Sequence, residues 1–583
     1  MLSEHLQRRV VRFRISGLMS RASPERILNI LSRPQALCRA NATRASDLRM
    51  LTQINMGRFQ WAVGGHVRQR ALRHIVGPSS PSWIFGHMLQ LILPRQYGDH
   101  EFRWQKKFGS VYRIKGCFGQ DRLMVADPLA LQFLLNSPMF ERGGVGDMML
   151  HLAFPEKSVI AVKGMFSFRW WPYHHLKLSV DLGDEHRRIR AALNVGFSAA
   201  TVRTYRPVFE RAAETISEQL ENYPAASINI CPLLSVATLQ AISEAVLRYS
   251  LQDLGDGFVD NNIQIVRLSA TQSPTQILVD ALSVRLPLWL LRGAMYLPTP
   301  AFKIIRKGKY LAHQIGRRIV RERLDTALQG IEMNDDLFSR LVDPNISDGM
   351  SEDEVASQVG FLLLAGQETT ANTIAYGLLE LARHPDFQEK LRAEIHSTQG
   401  ASASGGSAPY DSMPLLNAFI KAGHGIETIR LYPAGPFSER VAVQNTTIPL
   451  SEAITTSTGE RISHIPILKG QLVMLGIASY QRLESSWGTD AHEFNPSRWL
   501  DGTAYRGEAV GPYANLLSFL GGPRTCLGWR FAILEMQVIL CHLVAKYSFA
   551  EVEGEVIRPC FLNNLLPIVS SGEKALPLRI TRI

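Results

Sequence analysis

Cysteine is scarce in this chain: six residues among 583, at 38, 117, 231, 526, 541 and 560. None forms a C-x-x-C pair, and no spacing matches a zinc site or a disulfide framework. For five of the six the reading is a small buried hydrophobe in a reducing compartment. Lysine is absent from the first 75 residues, which hold fourteen Arg and only three acids, Glu4, Glu25 and Asp47. Since the whole chain carries a formal +11, everything after this leader is neutral on balance. That excludes a globally basic, nucleic-acid-binding protein. The leader also lacks an apolar run of bilayer length and the charged-then-apolar order of a secretory signal. An Arg-rich, acid-poor, Ser-containing stretch suits a mitochondrial transit peptide, a disordered extension or a non-native segment. Internal repeats are absent.

What is present is an ordinary globular composition, 46% hydrophobic and 20% charged, long enough to bury a core and enclose a cofactor. The body is expected to begin at the stiff connector Gly77-Pro78-Ser79-Ser80-Pro81-Ser82-Trp83. Residues 1–76 are then the leader and 77–583 one domain. Val111–Ile114 and Arg122–Val125 flank a turn with Gly116 and Gly119, which predicts a hairpin. Asp127-Pro128 opens a helix, acid as N-cap and Pro at the first position. Apolar spacing from about 184 to 400 is helical. Ser351 and Glu354 form a capping box ahead of a helix that passes Leu381 and stops before Pro385. Residues 400–408 read as a flexible loop, 437–475 as short strands with a Lys469-Gly470 turn, and Leu527 to Tyr547 as a last helix. The fold class is mainly α with a minor β region.

Three clusters carry chemistry. In Phe519-Leu520-Gly521-Gly522-Pro523-Arg524-Thr525-Cys526-Leu527-Gly528 the cysteine precedes a helix, where first-turn N–H groups favour a thiolate. Gly522 permits a conformation closed to other residues, Gly528 permits close approach by a flat partner, and Arg524 supplies a cation. In Ala365-Gly366-Gln367-Glu368-Thr369-Thr370 the small residues leave room against the backbone, and a carboxylate beside a hydroxyl can relay protons. Taken alone, that stretch is more usually explained by a solvated helix face. Glu427 and Arg430 are i, i+3 neighbours, a spacing that an unremarkable surface pair would share.

The cysteine stretch resembles the F-x-x-G-x-R-x-C-x-G signature of the cytochrome P-450 family at every specified position. The resemblance implies that fold, with haem b as cofactor and the Cys526 thiolate as axial ligand of its iron. Phe519, Gly522, Arg524 and Gly528 would line the cofactor. Residues 365–369 resemble the family's A-G-x-[DE]-T element, which makes Glu368 and Thr369 the oxygen- and proton-handling pair. Glu427 and Arg430 resemble its E-x-x-R helix, with Arg498 of Phe494-Asn495-Pro496-Ser497-Arg498-Trp499 completing a structural network. His186 and Arg190, one turn apart in Asp184–Arg190, are similar to the propionate-binding helix, and Arg440 and Arg524 are further propionate candidates. Arg187 and Arg188 would face outward, toward a reductase. The motif order over 77–570 is closest to fungal, membrane-associated members.

The implied function is a monooxygenase inserting one oxygen atom of O2 into a hydrophobic small molecule. Electrons would come from NADPH through a separate flavoprotein reductase. Secondary-metabolite or terpenoid oxidation and broad xenobiotic, aromatic or steroid oxidation both fit; no nucleic acid is expected. The alternatives are a peroxide-using or rearranging haem-thiolate enzyme, and a haem or ligand-binding protein disabled by insertions. By resemblance it would sit at the endoplasmic-reticulum membrane surface, with mitochondrial targeting a minor alternative. Leu286–Leu291 would border the substrate entrance, touch membrane or simply end a core helix. The sequence departs from the family at its basic leader, at the aromatic and basic insertion 163–183, and at Ala422–Ile426. Two glycines in that last insertion disfavour a continuous helix.

Overall fold

The computed structural model describes residues 71–162, 182–222, 227–329, 336–342, 350–402, 410–420, 427–501 and 510–583. Residues 1–70 of the leader, most of the 163–183 insertion, the 422–426 insertion and residues 403–409 lie outside them. Leu72 and Ile75, ahead of the Pro/Ser connector, are fully buried in the core.

The hairpin forms where the two glycines demand it. Strands β1 (Val111–Lys115) and β2 (Asp121–Val125) pair antiparallel, with Gly119 in the left-handed region at φ +70. Asp127 caps α1 (Pro128–Asn136), accepting from the Ala130 N–H at 2.9 Å. The same carboxylate accepts from Ser451 N–H at 3.1 Å, so one cap also pins a distant strand. Next come β3 (Phe140–Arg142), α2 (Gly144–Ala153), α3 (Leu182–Asn194), α4 (Arg206–Glu221), β4 (Ser227–Asn229) and α5 (Cys231–Ile242). Then follow α6 (Asp256–Ser269), α7 (Pro274–Ser283), α8 (Pro300–Leu328), α9 (Val359–Arg383), α10 (Pro385–Ser402) and α11 (Glu427–Leu431).

The last part of the chain adds β5 (Phe437–Ala442), β6 (Thr446–Thr455), β7 (Arg461–Ile467) and β8 (Leu472–Gly476). After these come α12 (Trp529–Lys546), β9 (Tyr547–Glu551), β10 (Arg558–Leu562), β11 (Asn564–Ile568) and β12 (Pro577–Arg582). One sheet runs β1-β2-β8-β5-β3, with β2 and β8 parallel. A smaller one runs β4-β12-β9, and β6–β7 and β10–β11 are separate two-stranded sheets. The chain is therefore mainly helical with minor sheets, as its periodicity implies.

The helix expected from Ser351 is interrupted. Ser351 makes its capping box with Glu354, but over a short helix, Glu352–Ala356, and α9 restarts at Val359. At the break, buried Gln358 donates to Lys157 O at 2.8 Å and accepts from Val159 N–H at 2.9 Å. Along α9, Gly366 packs on α5: a Cβ there would lie 2.8 Å from Ile242 Cγ1. Its small size thus serves helix packing, and Ala365 alone is the open position expected of the pair. On α12, Phe531 meets Phe197, Tyr205 and Phe209 edge-on at 4.9–6.0 Å between centroids. Such contacts contribute roughly 0.5–1.5 kcal/mol each beyond burial, which holds the helix after the cysteine loop against α4. The final helix starts at Trp529, two residues later than its apolar pattern suggests.

Candidate active site

Backbone geometry fixes the cysteine loop. Cys526 N–H donates to Phe519 O at 2.8 Å, and Thr525 N–H to Gly522 O at 3.1 Å. Gly522 has φ +66, and a Cβ on it would lie 2.4 Å from Leu135 O, so both conformation and space require glycine. Leu520 accepts a left-handed φ of +54, an unfavourable conformation for a residue with a Cβ.

Among the described cysteines Cys526 alone is exposed. It is nevertheless enclosed by enough protein that burial raises its thiol pKa. Solvent-reachable and enclosed together describe a group lining an internal hollow. The Gly528 N–H and the Arg190 guanidinium oppose the upward shift and favour the thiolate. Around Gly528 a Cβ would meet only the Phe197 ring, at 3.7–3.9 Å, leaving that wall open to a flat group.

Cations gather beside this sulfur. Arg142 and Arg440 stand directly opposite each other in the β3–β5 ladder, a like-charge pairing that costs stability. Arg524, which donates to Val162 O at 3.0 Å, adds to the same field. Burial first, then Arg142, pushes Arg440 down to about 10. Burial, then Arg142 and Arg440, push Arg524 down to about 9. His186 is pushed down to about 3 by burial and by Arg524, Arg190 and Arg142, so it is neutral. Asp147, 3.5 Å from Arg142, is the acid acting within this cluster. Four guanidiniums, an enclosed but open-faced sulfur and an open glycine wall form a donor set for a flat group with two carboxylates and a metal that takes thiolate. Haem fits it. Arg142 and Asp147 were not legible in the sequence, where nothing in their spacing ties them to 190, 440 or 524.

On α9, Ala365 is exposed within an otherwise mostly buried helix, and Thr369 donates its hydroxyl to Ala365 O at 2.8 Å. Glu368 turns elsewhere: it is buried, accepts from Ser235 Oγ at 2.6 Å and is ion-paired with Lys574. Neither partner carries a sequence signal.

The Glu427, Arg430 and Arg498 side chains come together, all buried. Arg430 donates to both Glu427 oxygens at 2.8 and 2.7 Å, and Arg498 to one at 3.1 Å. Trp499 Nε1 adds a donor at 2.9 Å and Asp490 a second acceptor for Arg498 at 2.8 Å. Gln481 connects this network to the cysteine loop. Its amide donates to Arg430 O at 2.9 Å and its oxygen accepts from Leu517 N–H at 2.9 Å, two residues before Phe519. Ser518 Oγ reaches Ile429 O at 2.9 Å.

Of the two arginines expected to face outward, Arg187 does, beside Asp184. Arg188 instead pairs with Glu354 and is half-buried, because α3 packs its polar face on the capping turn. Trp83, Val279, Leu282, Leu286, Trp289 and Leu290 are exposed. Ile277 of α7 shares a cluster with Met88 and Leu91 of the N-terminal part of the body, so these segments adjoin. No helix among the described residues is long and apolar enough to cross a membrane.

A mainly helical fold that brings an enclosed cysteine beside a cation cluster defines a haem-thiolate type of protein. The family model described as "Cytochrome P450" matches residues 162–575. A cytochrome P450 monooxygenase 91 from Postia placenta is 29% identical over 88% of this chain and 94% of its own length. A cytochrome P450 monooxygenase 212 from the same fungus is 30% identical, covering 89% and 96%. A ganoderic acid synthetase from Ganoderma lucidum is 28% identical, covering 83% and 89%. The chain belongs to the cytochrome P450 family: it is a haem-b monooxygenase similar to fungal ones.

Proposed function

We propose that this enzyme oxidises a hydrophobic secondary metabolite, taking electrons from NADPH through a separate reductase, with Cys526 as the sulfur ligand of its haem iron. The observation that carries the reading is the position of Cys526: the described cysteine left open, beside Arg190 and the Gly528 N–H, next to the arginine cluster. Bound haem supplies the activation of O2 and the transfer of one oxygen atom. Arg142, Arg190, Arg440 and Arg524 would pair with its carboxylates, and neutral His186 would be available as a hydrogen-bond partner. Thr369 holds a proton on Oγ1 at the open face of α9, while Glu368, held by Ser235 and Lys574, would join proton delivery only on leaving those partners. The Glu427–Arg430–Arg498 network, through Gln481, holds the cysteine loop in register.

The secondary-metabolite assignment rests on the likeness to a ganoderic acid synthetase; terpenoids are the class we place first. Exposed Trp83, Trp289 and Leu290 favour contact with the endoplasmic-reticulum membrane surface, as amphipathic aromatics and leucine do at an interface. The test is turnover with NADPH, a flavoprotein reductase and a panel of terpenoid, steroid and aromatic substrates read by mass. A product one oxygen heavier, formed with NADPH and O2 consumption, supports the reading. Turnover with peroxide alone, or none, contradicts it.

A further inference from the structure

Helices α6 and α8 cross at Gly308, where a Cβ would lie 2.5 Å from Ile265 Cδ1 and 2.7 Å from Asn261 Nδ2. Beside this crossing is a cleft bounded also by α2 and the start of α9, walled by apolar residues such as Phe154, Phe258 and Leu364 and by five polar ones, Asn261, Asn262, Lys309, His313 and Ser357. Two of its lining residues, Gly360 and Leu364, belong to α9, the helix that carries Thr369. Leu364 immediately precedes the exposed Ala365, and Gly360 is nine residues, about 14 Å of helix, from Thr369.

Two of these polar residues, Asn261 and His313, are incompletely satisfied, whereas Ser357 donates to Asp353 O at 2.6 Å. Asn261 is 1% exposed; its Nδ2 donates to Ile304 O at 3.3 Å, which fixes the amide orientation and leaves Oδ1 without a partner. Its neighbour Asn262 is accounted for, donating to Gln367 Oε1 on α9. His313 Nε2 faces Asp353 Oδ1 at 3.2 Å, and its Nδ1 is buried with no partner. Burial holds His313 below its ordinary value despite Asp353, so the ring is neutral. With its proton on the nitrogen facing the carboxylate, Nδ1 is a lone-pair acceptor. One wall therefore carries two buried acceptors without donors, in a structure type where such groups are nearly always paired.

That combination discriminates between ligand groups. A ketone or ether can accept from Lys309 but brings no donor for Asn261 Oδ1 or His313 Nδ1. A carboxylate would pair with Lys309 but leaves the same two acceptors without a donor, and a protonated amine meets the Lys309 cation. A hydroxyl can donate to an acceptor while accepting from Lys309. We propose that Asn261 and His313 form the anchoring end of the substrate pocket, and that the substrate carries a free hydroxyl at one end of an otherwise apolar skeleton. This rests on the monooxygenase reading above and names the substrate class for that same site: an alcohol, oxidised at the end remote from its hydroxyl.

The experiment uses haem-loaded enzyme and three rigid probes of one skeleton: 5α-androstan-3β-ol, the corresponding 3-ketone and the parent 5α-androstane. Dissociation constants come from the ligand-induced change in the Soret band. The alcohol should bind at least about tenfold more tightly than either other probe, one lost hydrogen bond to a buried acceptor. Asn261→Leu should abolish that preference, and Asn261→Asp, which keeps an acceptor, should retain it. The reduced, carbon-monoxide-bound spectrum of each variant reports the haem-thiolate site separately. Equal or absent binding of the three probes by wild type, or a preference that survives in Asn261→Leu, overturns the proposal while an intact thiolate spectrum leaves the enzyme reading standing. Loss of the thiolate spectrum in wild type would instead overturn the enzyme reading, and this inference with it.

Discussion

Lys574, on the turn before the last strand, forms a buried ion pair with Glu368 in the middle of α9, 206 residues earlier. Ser235 on α5 completes the carboxylate's surroundings. The acid thought to serve oxygen chemistry is thus also a tie between the C-terminal sheet and the central helix.

Removing only the cation should be destabilising. Lys574→Met leaves a carboxylate buried beside one hydroxyl, and breaking a buried pair this way costs about 3 kcal/mol. Adding Glu368→Gln should recover most of that loss. Thermal unfolding of both variants checks it; a single mutant as stable as wild type would mean the pair contributes nothing.

The arginine cluster predicts effects of opposite sign on the two forms of the protein. Arg440→Met removes the guanidinium facing Arg142 across the ladder, so the haem-free protein should gain stability, by roughly 1 kcal/mol. Haem transfer to an acceptor such as apomyoglobin should meanwhile speed up several-fold, because the proposed propionate partner is gone. A cation with a purely structural role would lower stability and leave haem transfer unchanged.

How much of this was legible in the sequence depended on distance along the chain. Asp127 as a cap, the Ser351–Glu354 box and the Glu427–Arg430 pair are contacts between residues three apart, and their spacing declares them. The cysteine loop is legible for the same reason: Cys526 N–H closes on Phe519 O within one motif. Arg142 opposite Arg440, Gln481 beneath Leu517, and Lys574 against Glu368 join segments whose only relation is the folded sheet or helix packing, and no local pattern marks them. Gly366 was misread because a small residue on a helix serves a ligand or a neighbouring helix equally well, and only Ile242 decides.

Glu101 gives a pH dependence. Burial raises its carboxyl to about 7, with Ser479 and Arg482 opposing the shift. The folded state keeps a proton that the unfolded state releases near 4.5, so stability is full below 4.5 and falls as pH rises to 7, by about 3 kcal/mol in all. Glu101→Gln should remove this slope. Denaturant unfolding between pH 4.5 and 8 checks it, and an unchanged slope in the variant would assign the effect elsewhere.

Thr369→Ala should keep haem and substrate binding but lower product per NADPH several-fold, with the missing electrons appearing as peroxide, since the Oγ1 proton at the open face of α9 is gone. Peroxide and product are measured in the same reaction. Coupling at the wild-type level would remove Thr369 from proton handling.

The most direct measurement is the spectrum of Cys526→Ser in the reduced, carbon-monoxide-bound state, beside wild type. Wild type should show the red-shifted Soret band of a thiolate-ligated haem, and the variant should lose either that band or the haem itself. A thiolate-type band that persists in Cys526→Ser would contradict the account.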